Sequence, residues 1–300
     1  YNLGDIIASG NQGGGIVSYL TGYCQIDSCY NVGNIEGGFG LGGIVAALAS
    51  TKPSVTNCWN AGDITTTTNR AGGIIGYNSS TTAIIENCYN LGDVSTTGTD
   101  AKNCYGIGGI AGQGSGHFTN VYSAGKIKGL ARVGGILGYG YKGTKATDGT
   151  VNGTTLENAY FIGTVDAPAD TCAMIIGVKM EGNGKNWNEI NYVKNTYYAS
   201  ENACEGVNDA GTAVPYADLT KLTLGEGWTK GEYCLPTLRD INDNAYAKVN
   251  SVAVVPAEGD TYESITKNFF VGTPEGVAIT TDNANVSISG NQVAFTKPFA

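Results

Sequence analysis

The sequence predicts an all-β chain, a right-handed parallel β-solenoid followed by a small antiparallel β module, and three observations carry that prediction. First, one phrase recurs: an aromatic, Asn or Ser, any residue, Gly, a polar residue, then Ile or Val. It stands at Tyr1–Ile6, Tyr30–Ile35, Trp59–Ile64, Tyr89–Val94 and Tyr122–Ile127, with a weaker copy at Tyr160–Val165. Its Gly residues step by 29, 29, 30, 33 and 38 residues, a period that means stacked, near-identical units. Second, Gly makes up 46 of 300 residues and charged residues only 14%, without the Gly-X-Y period of collagen or an apolar stripe of helical spacing. Third, Val, Ile, Thr and Tyr fall in short bursts between Gly and Asn clusters, as short strands and turns do.

Within a repeat, Ile26, Val55, Ile85, Phe118, Leu156 and Val193 stand four residues before the aromatic. Charged or hydroxylated residues (Asp27, Thr56, Glu86, Thr119, Glu157, Lys194) stand three before it. Strict alternation puts the aliphatic and the aromatic on one face. It therefore predicts that Tyr1, Tyr30, Trp59, Tyr89, Tyr122, Tyr160 and Tyr197 face the interior. Cys29, Cys58 and Cys88 then face outward or into a corner, unless a bulge reverses the order. Asn-x-Gly follows as a turn, and Ile6, Ile35, Ile64, Val94, Ile127 and Val165 point inward from the next strand.

A second break leads to Gly-Gly-Ile, beginning at Gly14, Gly42, Gly72, Gly108 and Gly134, for three short strands per repeat. One coil cannot bury its own apolar face, whereas coils ~4.8 Å apart share one. The crossover rule makes the coil right-handed. Asn2, Asn31, Asn60 and Asn90 are expected to stack as one amide ladder. Asn57, Asn87, Asn120, Asn158 and Asn195 form a second, and Tyr30, Trp59, Tyr89 and Tyr122 stack as rings.

These motifs, Asn-Cys-Tyr-Asn-x-Gly-Asp followed by Gly-aliphatic-x-Gly at Gly73–Gly76, Gly109–Gly112 and Gly135–Gly138, resemble the GLUG-type repeats of bacterial surface and secreted proteins. The resemblance covers residues 1 to about 200. It implies an extracellular β-solenoid in a large adhesin-like or envelope protein, and it supplies no catalytic residues.

Three organisational units are expected: repeats over 1–200, a closing segment over 201–248, and a β module over 249–300 that resembles part of an Ig-like domain. Trp228 and Leu235 are the expected plugs of the solenoid end, where apolar core and unpaired strand edges need cover. In the last unit, alternation at Ser251–Val255, Val277–Ile279, Val286–Ile288 and Val293–Phe295 marks strands. Tyr1 falls inside a repeat, so the chain is expected to be a piece of a longer protein. The eight Cys include no CxxC pair, which argues against a thiolate zinc site. Cys204 and Cys234 are the pair expected to bridge.

Insertions break the period near 95–105, 139–155 and 178–191. Such loops carry binding more often than the wall does. Their planar side chains Tyr139, Tyr141 and Trp187 are the candidate binding residues, suited to sugar rings or partner surfaces. The net charge of -9, with 17 scattered Lys and Arg, excludes a nucleic-acid footprint, and no apolar run spans a membrane. The single histidine, His117, has no Gly-x-Ser-x-Gly elbow around it and no second His for a zinc site.

The sharpest enzymatic option is the row Asp5, Asn34, Asp63, Asp93 and Lys126. There Asp63 and Asp93 are candidate Ca²⁺ ligands and Lys126 a basic partner, as in β-helix polysaccharide lyases. The expectation is otherwise a non-enzymatic, cofactor-free module at the bacterial cell surface, with glycans or host or neighbouring surface proteins as partners.

Overall fold

In-register parallel stacking governs the fold. The computed structural model describes residues 1–49, 51–141, 144–149, 151–177, 192–206, 210–219, 221–229, 235–238, 241, 266–268, 286–289 and 292–295. Its repeats form a parallel β-solenoid of four walls. The first wall stacks Gln25–Asp27 with Tyr30–Asn31, Ser54–Thr56 with Trp59–Asn60, then Ile84–Asn90, His117–Ser123, Thr155–Phe161, Val193–Ala199 and Thr212–Val214. The second runs from Ile6–Ala8 to Val165–Asp166, the third from Gly13–Gly14 to Cys172–Ala173, and the fourth from Val17–Leu20 to Leu137–Gly140. Each coil thus has four strands rather than the expected three. Gly-Gly-Ile is a corner between two strands, not the start of one.

The reason lies in what the second Gly of that corner touches. Asn31, Asn60 and Asn90 are fully buried. A Cβ on Gly15 would run into the Asn31 side chain, one on Gly43 into Asn60, and one on Gly73 into Asn90. Each Asn amide donates one hydrogen to a glycine carbonyl two residues on and the other to the next rung. Asn31 Nδ2 donates to Gly33 O at 2.8 Å and to Asn60 Oδ1 at 2.6 Å. Asn60 Nδ2 donates to Gly62 O and Asn90 Oδ1, both at 2.7 Å. A buried amide is tolerable only with its donors satisfied, so the Asn phrase and the Gly phrase specify each other.

The ring orientation differs from expectation. Ser28, Asn57, Asn87, Asn120, Asn158 and Asn195 all have φ between 52° and 55°, the left-handed region that Asn visits more readily than most residues. One such residue removes a step from the alternation, as a bulge does. Ile85, Phe118 and Leu156 still face the interior, but Cys58, Cys88, Val121 and Ala159 now follow them inward. The aromatics turn to the outer side of the first wall. There Tyr30, Trp59, Tyr89, Tyr122 and Tyr160 stack at centroid spacings of 4.6, 5.9, 4.8 and 4.9 Å, with interplanar angles of 3–9°.

Trp59, Tyr89, Tyr122 and Tyr160 are nonetheless buried, because a later segment covers them, while Tyr30 is half-buried and Tyr1 exposed. Leu219, Leu224, Trp228 and Leu238 form a second apolar cluster with the rings. Trp228 lies 6.0 Å from Tyr122 and 5.5 Å from Tyr160, tilted by 48° and 46°, and its Nε1 donates to Asn120 Oδ1 at 3.0 Å. Trp228 therefore covers the flank of the wall rather than plugging an end. The end of the first wall receives Thr212–Val214, paired with Tyr197–Ala199.

At the C-terminus, Thr266–Asn268, Gln292–Phe295 and Val286–Ser289 form an antiparallel sheet in that order. Ser251–Val255 and Val277–Ile279 lie outside the described residues.

Gly43→Ala is expected to destabilise the chain by about 2 kcal/mol or more, since it drives a methyl into backbone and a buried amide. Gly10→Ala, with nothing within 4 Å of its Cβ position, is expected to be neutral. Urea unfolding of the two variants checks this.

Candidate functional site

The residue two before the first Gly of Gly-Gly-Ile sits at the corner entering the third wall. That corner is left-handed at Gly40 (φ 66°), Arg70 (φ 62°), Gly106 (φ 76°) and Arg132 (φ 51°). Glycine takes such a conformation without strain, while a non-Gly residue there costs on the order of 1 kcal/mol. Alternate coils thus trade Gly for Arg. The space over each Gly is filled by a ring: a Cβ on Gly40 would meet Tyr77 at 3.3 Å, and one on Gly106 would meet Tyr139 at 2.7 Å.

The result is an alternating stack of cations and rings. The Arg70 guanidinium carbon lies 5.0 Å from the Phe39 ring centre, 5.4 Å from Tyr77 and 5.9 Å from Tyr105. That of Arg132 lies 4.9 Å from both Tyr105 and Tyr139. Each such contact contributes about 0.5–2 kcal/mol.

A hydrogen-bond chain runs through the stack. Arg70 Nε donates to the Tyr139 hydroxyl at 3.1 Å, that hydroxyl donates to Gln113 Oε1, and Gln113 Nε2 donates to the Tyr141 hydroxyl. Gln12 Nε2 adds a bond to the Tyr77 hydroxyl at 3.0 Å. Burial pushes the Tyr139 phenol up to about 12, against the opposing pull of Arg70.

Tyr139 and Tyr141 were expected on an inserted loop. Tyr139 instead belongs to the strand Leu137–Gly140, opposite Gln113, and is 3% exposed. The insertion starts after it and contains a hairpin of Thr144–Lys145 with Val151–Asn152. Tyr141 is half-buried. Trp187 lies outside the described residues. Arg70, Arg132, Tyr77, Tyr105 and Gln113 were not anticipated. The signal for them is the alternation of Gly and Arg two residues before Gly-Gly, at 40, 70, 106 and 132.

Asp63 and Asp93 stand on adjacent rungs of the second turn. Asp63 Oδ1 accepts the Asp93 backbone N–H at 3.0 Å, and Asp93 Oδ1 accepts that of Lys126 at 2.8 Å. Asn34 and Asp5 do the same below them. The Lys126 ammonium pairs with Asp166 at 2.8 Å. Among the described residues, no three His, Cys, Asp or Glu side chains are grouped to hold a metal. His117 Nδ1 lies 3.0 Å from Thr155 Oγ1.

Of the cysteines, Cys58 and Cys88 are free and buried in the core. Cys204 was expected to meet Cys234, which lies outside the described residues. Within them it meets Cys172, with the sulfurs 3.5 Å apart. Burial, then the neighbouring Cys204 thiol, pushes Cys172 up to about 12.

The walls and ladders define a parallel β-solenoid. A family profile described as the GLUG motif matches residues 67–95, which span the Arg70 corner, Gly-Gly-Ile at Gly72–Ile74 and the Tyr89–Val94 phrase. No curated protein and no solved structure shows significant similarity to the chain. No helix among the described residues is long and apolar enough to cross a membrane.

Two outcomes follow from this geometry. The folded state holds the Tyr139 proton to about pH 12, whereas an unfolded Tyr releases it near 10, so stability contributed by this residue falls as pH rises through that window. Tyr139→Phe is expected to flatten the pH-dependence of urea unfolding between pH 10 and 12 by about 2 kcal/mol. Under oxidised glutathione, Cys172 and Cys204 are expected to form a disulfide that adds about 3 kcal/mol. Peptide mapping without reductant, with Cys172→Ser as the control, reads it.

Proposed function

We propose that the chain is a non-catalytic extracellular scaffold module of a bacterial surface protein, a stiff rod whose flank binds glycan or protein of the host or of neighbouring envelope. The observation that carries this reading is the use of the wall's polar side chains. Asp63 and Asp93 accept backbone amides of the next rung, and the Asn ladders bond to one another. Side chains so engaged hold coils in register. Display then falls to the corners, where Arg70, Arg132, Tyr105 and Tyr141 are only half-buried. The GLUG motif and its resemblance to surface-protein repeats support an extracellular setting.

The alternative is a Ca²⁺-dependent polysaccharide lyase using Asp63, Asp93 and Lys126. The test pairs a glycan array, run with Ca²⁺ and with chelator, with an assay for unsaturated uronate products on acidic polysaccharides. Expected are Ca²⁺-independent binding and no product. Turnover abolished by Asp93→Ala would replace the scaffold reading with the lyase.

A further inference from the structure

We propose that the Arg70–Arg132 corner is a binding site for an acidic saccharide, an oxyanion carried on a sugar ring. This rests on the glycan-binding half of the function proposed above and names the ligand chemistry for one place on the rod.

The argument begins with charge. The chain carries a net charge of -9, yet neither Arg70 nor Arg132 has a carboxylate partner among the described residues, where the ion pairs are Lys126–Asp166 and Lys221–Asp218. Both guanidinium groups lie against the Tyr105 ring, Arg70 at 5.9 Å and Arg132 at 4.9 Å from its centre. Two cations on one ring without a facing carboxylate suit an anion that reaches both.

Hydrogen bonding points the same way. Arg132 Nε is buried and has no acceptor. A buried donor left unpaired costs about 1–3 kcal/mol, so the Arg132 guanidinium lacks its full set of acceptors. Guanidinium presents a planar fork that matches carboxylate and sulfate oxygens two at a time. Arg70 has its Nε committed to Tyr139, which fixes the plane of its fork before any ligand arrives.

The backbone adds a third indication. Both arginines occupy left-handed positions that the flanking coils fill with Gly40 and Gly106. Strain of this kind persists where the surroundings over-determine it, and it concentrates at functional sites.

The neighbours select a sugar. Tyr105 and Tyr141 are half-buried, so each side chain keeps part of its surface exposed. Aromatic faces pack on the C–H faces of pyranose rings, and the hydrogen-bond chain from Arg70 through Tyr139 and Gln113 to Tyr141 holds the Tyr141 ring in place beside them. An acidic peptide would satisfy the arginines but leave the exposed aromatic surface without a flat ring to cover it.

The test uses the full chain and four probes: an oligogalacturonate, a sulfated oligosaccharide of similar length, a neutral oligosaccharide and oligoglutamate. Calorimetric titration is expected to show binding of the uronate, the sulfated sugar or both. Their relative affinity tells carboxylate from sulfate. Affinity should fall with added salt. Arg70→Gln with Arg132→Gln should weaken it by about tenfold or more, while Lys221→Gln, at an exposed lysine paired with Asp218, leaves it unchanged. Because the double variant removes packing as well as charge, wild-type protein is also treated with phenylglyoxal. Arg70 and Arg132 should be modified in the free protein and protected by the acidic sugar, as read by peptide mass mapping.

Equal binding of neutral and acidic sugars, or binding without protection of these arginines, would overturn this site and leave the broader glycan reading standing. Stronger binding of oligoglutamate than of either acidic sugar would overturn it in favour of an acidic protein partner. Absence of binding to every sugar would overturn both.

Discussion

The fold depends on one buried contact made over and over: an asparagine amide seated against a glycine of the preceding coil. Asn60 on Gly43 and Asn90 on Gly73 are two of its instances. The amide must be inside because its two hydrogens hold the turn of its own coil and the amide of the next. The glycine must be bare because the amide occupies the place where a side chain would stand. Together they lock the two phrases of the repeat at a fixed separation in space, while the stretches between them lengthen and shorten. Where the ladder runs out, at Ser123 and then Phe161, the glycine remains and a different side chain fills its niche.

Around this contact the solenoid builds two apolar bodies. The interior holds the aliphatic and cysteine ladders. A second body lies outside the first wall, where the stacked rings meet Leu219, Leu224, Trp228 and Leu238. The left-handed Asn before each ring separates the two, and the same residues bond to one another along the stack. Asn87 donates to Asn57, Asn120 to Asn87 and Asn158 to Asn120. At the foot, Asp27 accepts from Thr56, Ser28 and Asn57, and those bonds hold its carboxyl below the usual range.

Much of this was legible in the sequence, and the illegible parts have definite causes. Period and register came from the spacing of the Gly phrase, and the Asn and Asp rows from identical residues at identical places. Which way Tyr89 or Tyr160 faces was not legible, because alternation assumes extended backbone throughout. Asn57 and Asn87 look the same in sequence whether φ is negative or positive. The fourth strand was hidden for a similar reason: Gly-Gly reads as a break, and only the amide packed on it makes it a corner. At the candidate site, Tyr139 and Tyr141 stood out for their ring character, but their neighbours come from coils up to 69 residues away. Arg70 and Arg132 are ordinary in sequence and become unusual only beside each other.

The strap that lies over the rings alters how the whole stack can come apart. A bare solenoid is nearly one-dimensional: each coil touches only its neighbours, so it can fray from an end one layer at a time. Here Trp228 reaches Asn120, 108 residues earlier in the chain, and Tyr160 donates to the Pro236 carbonyl at 2.7 Å. Those long-range ties couple several layers to one segment, so loss of the last coils also strips the cover from the middle ones. Cooperativity that a simple array lacks is thereby imposed from outside. It comes with higher contact order and hence slower folding, and it yields a rod that holds its shape until it fails as a block.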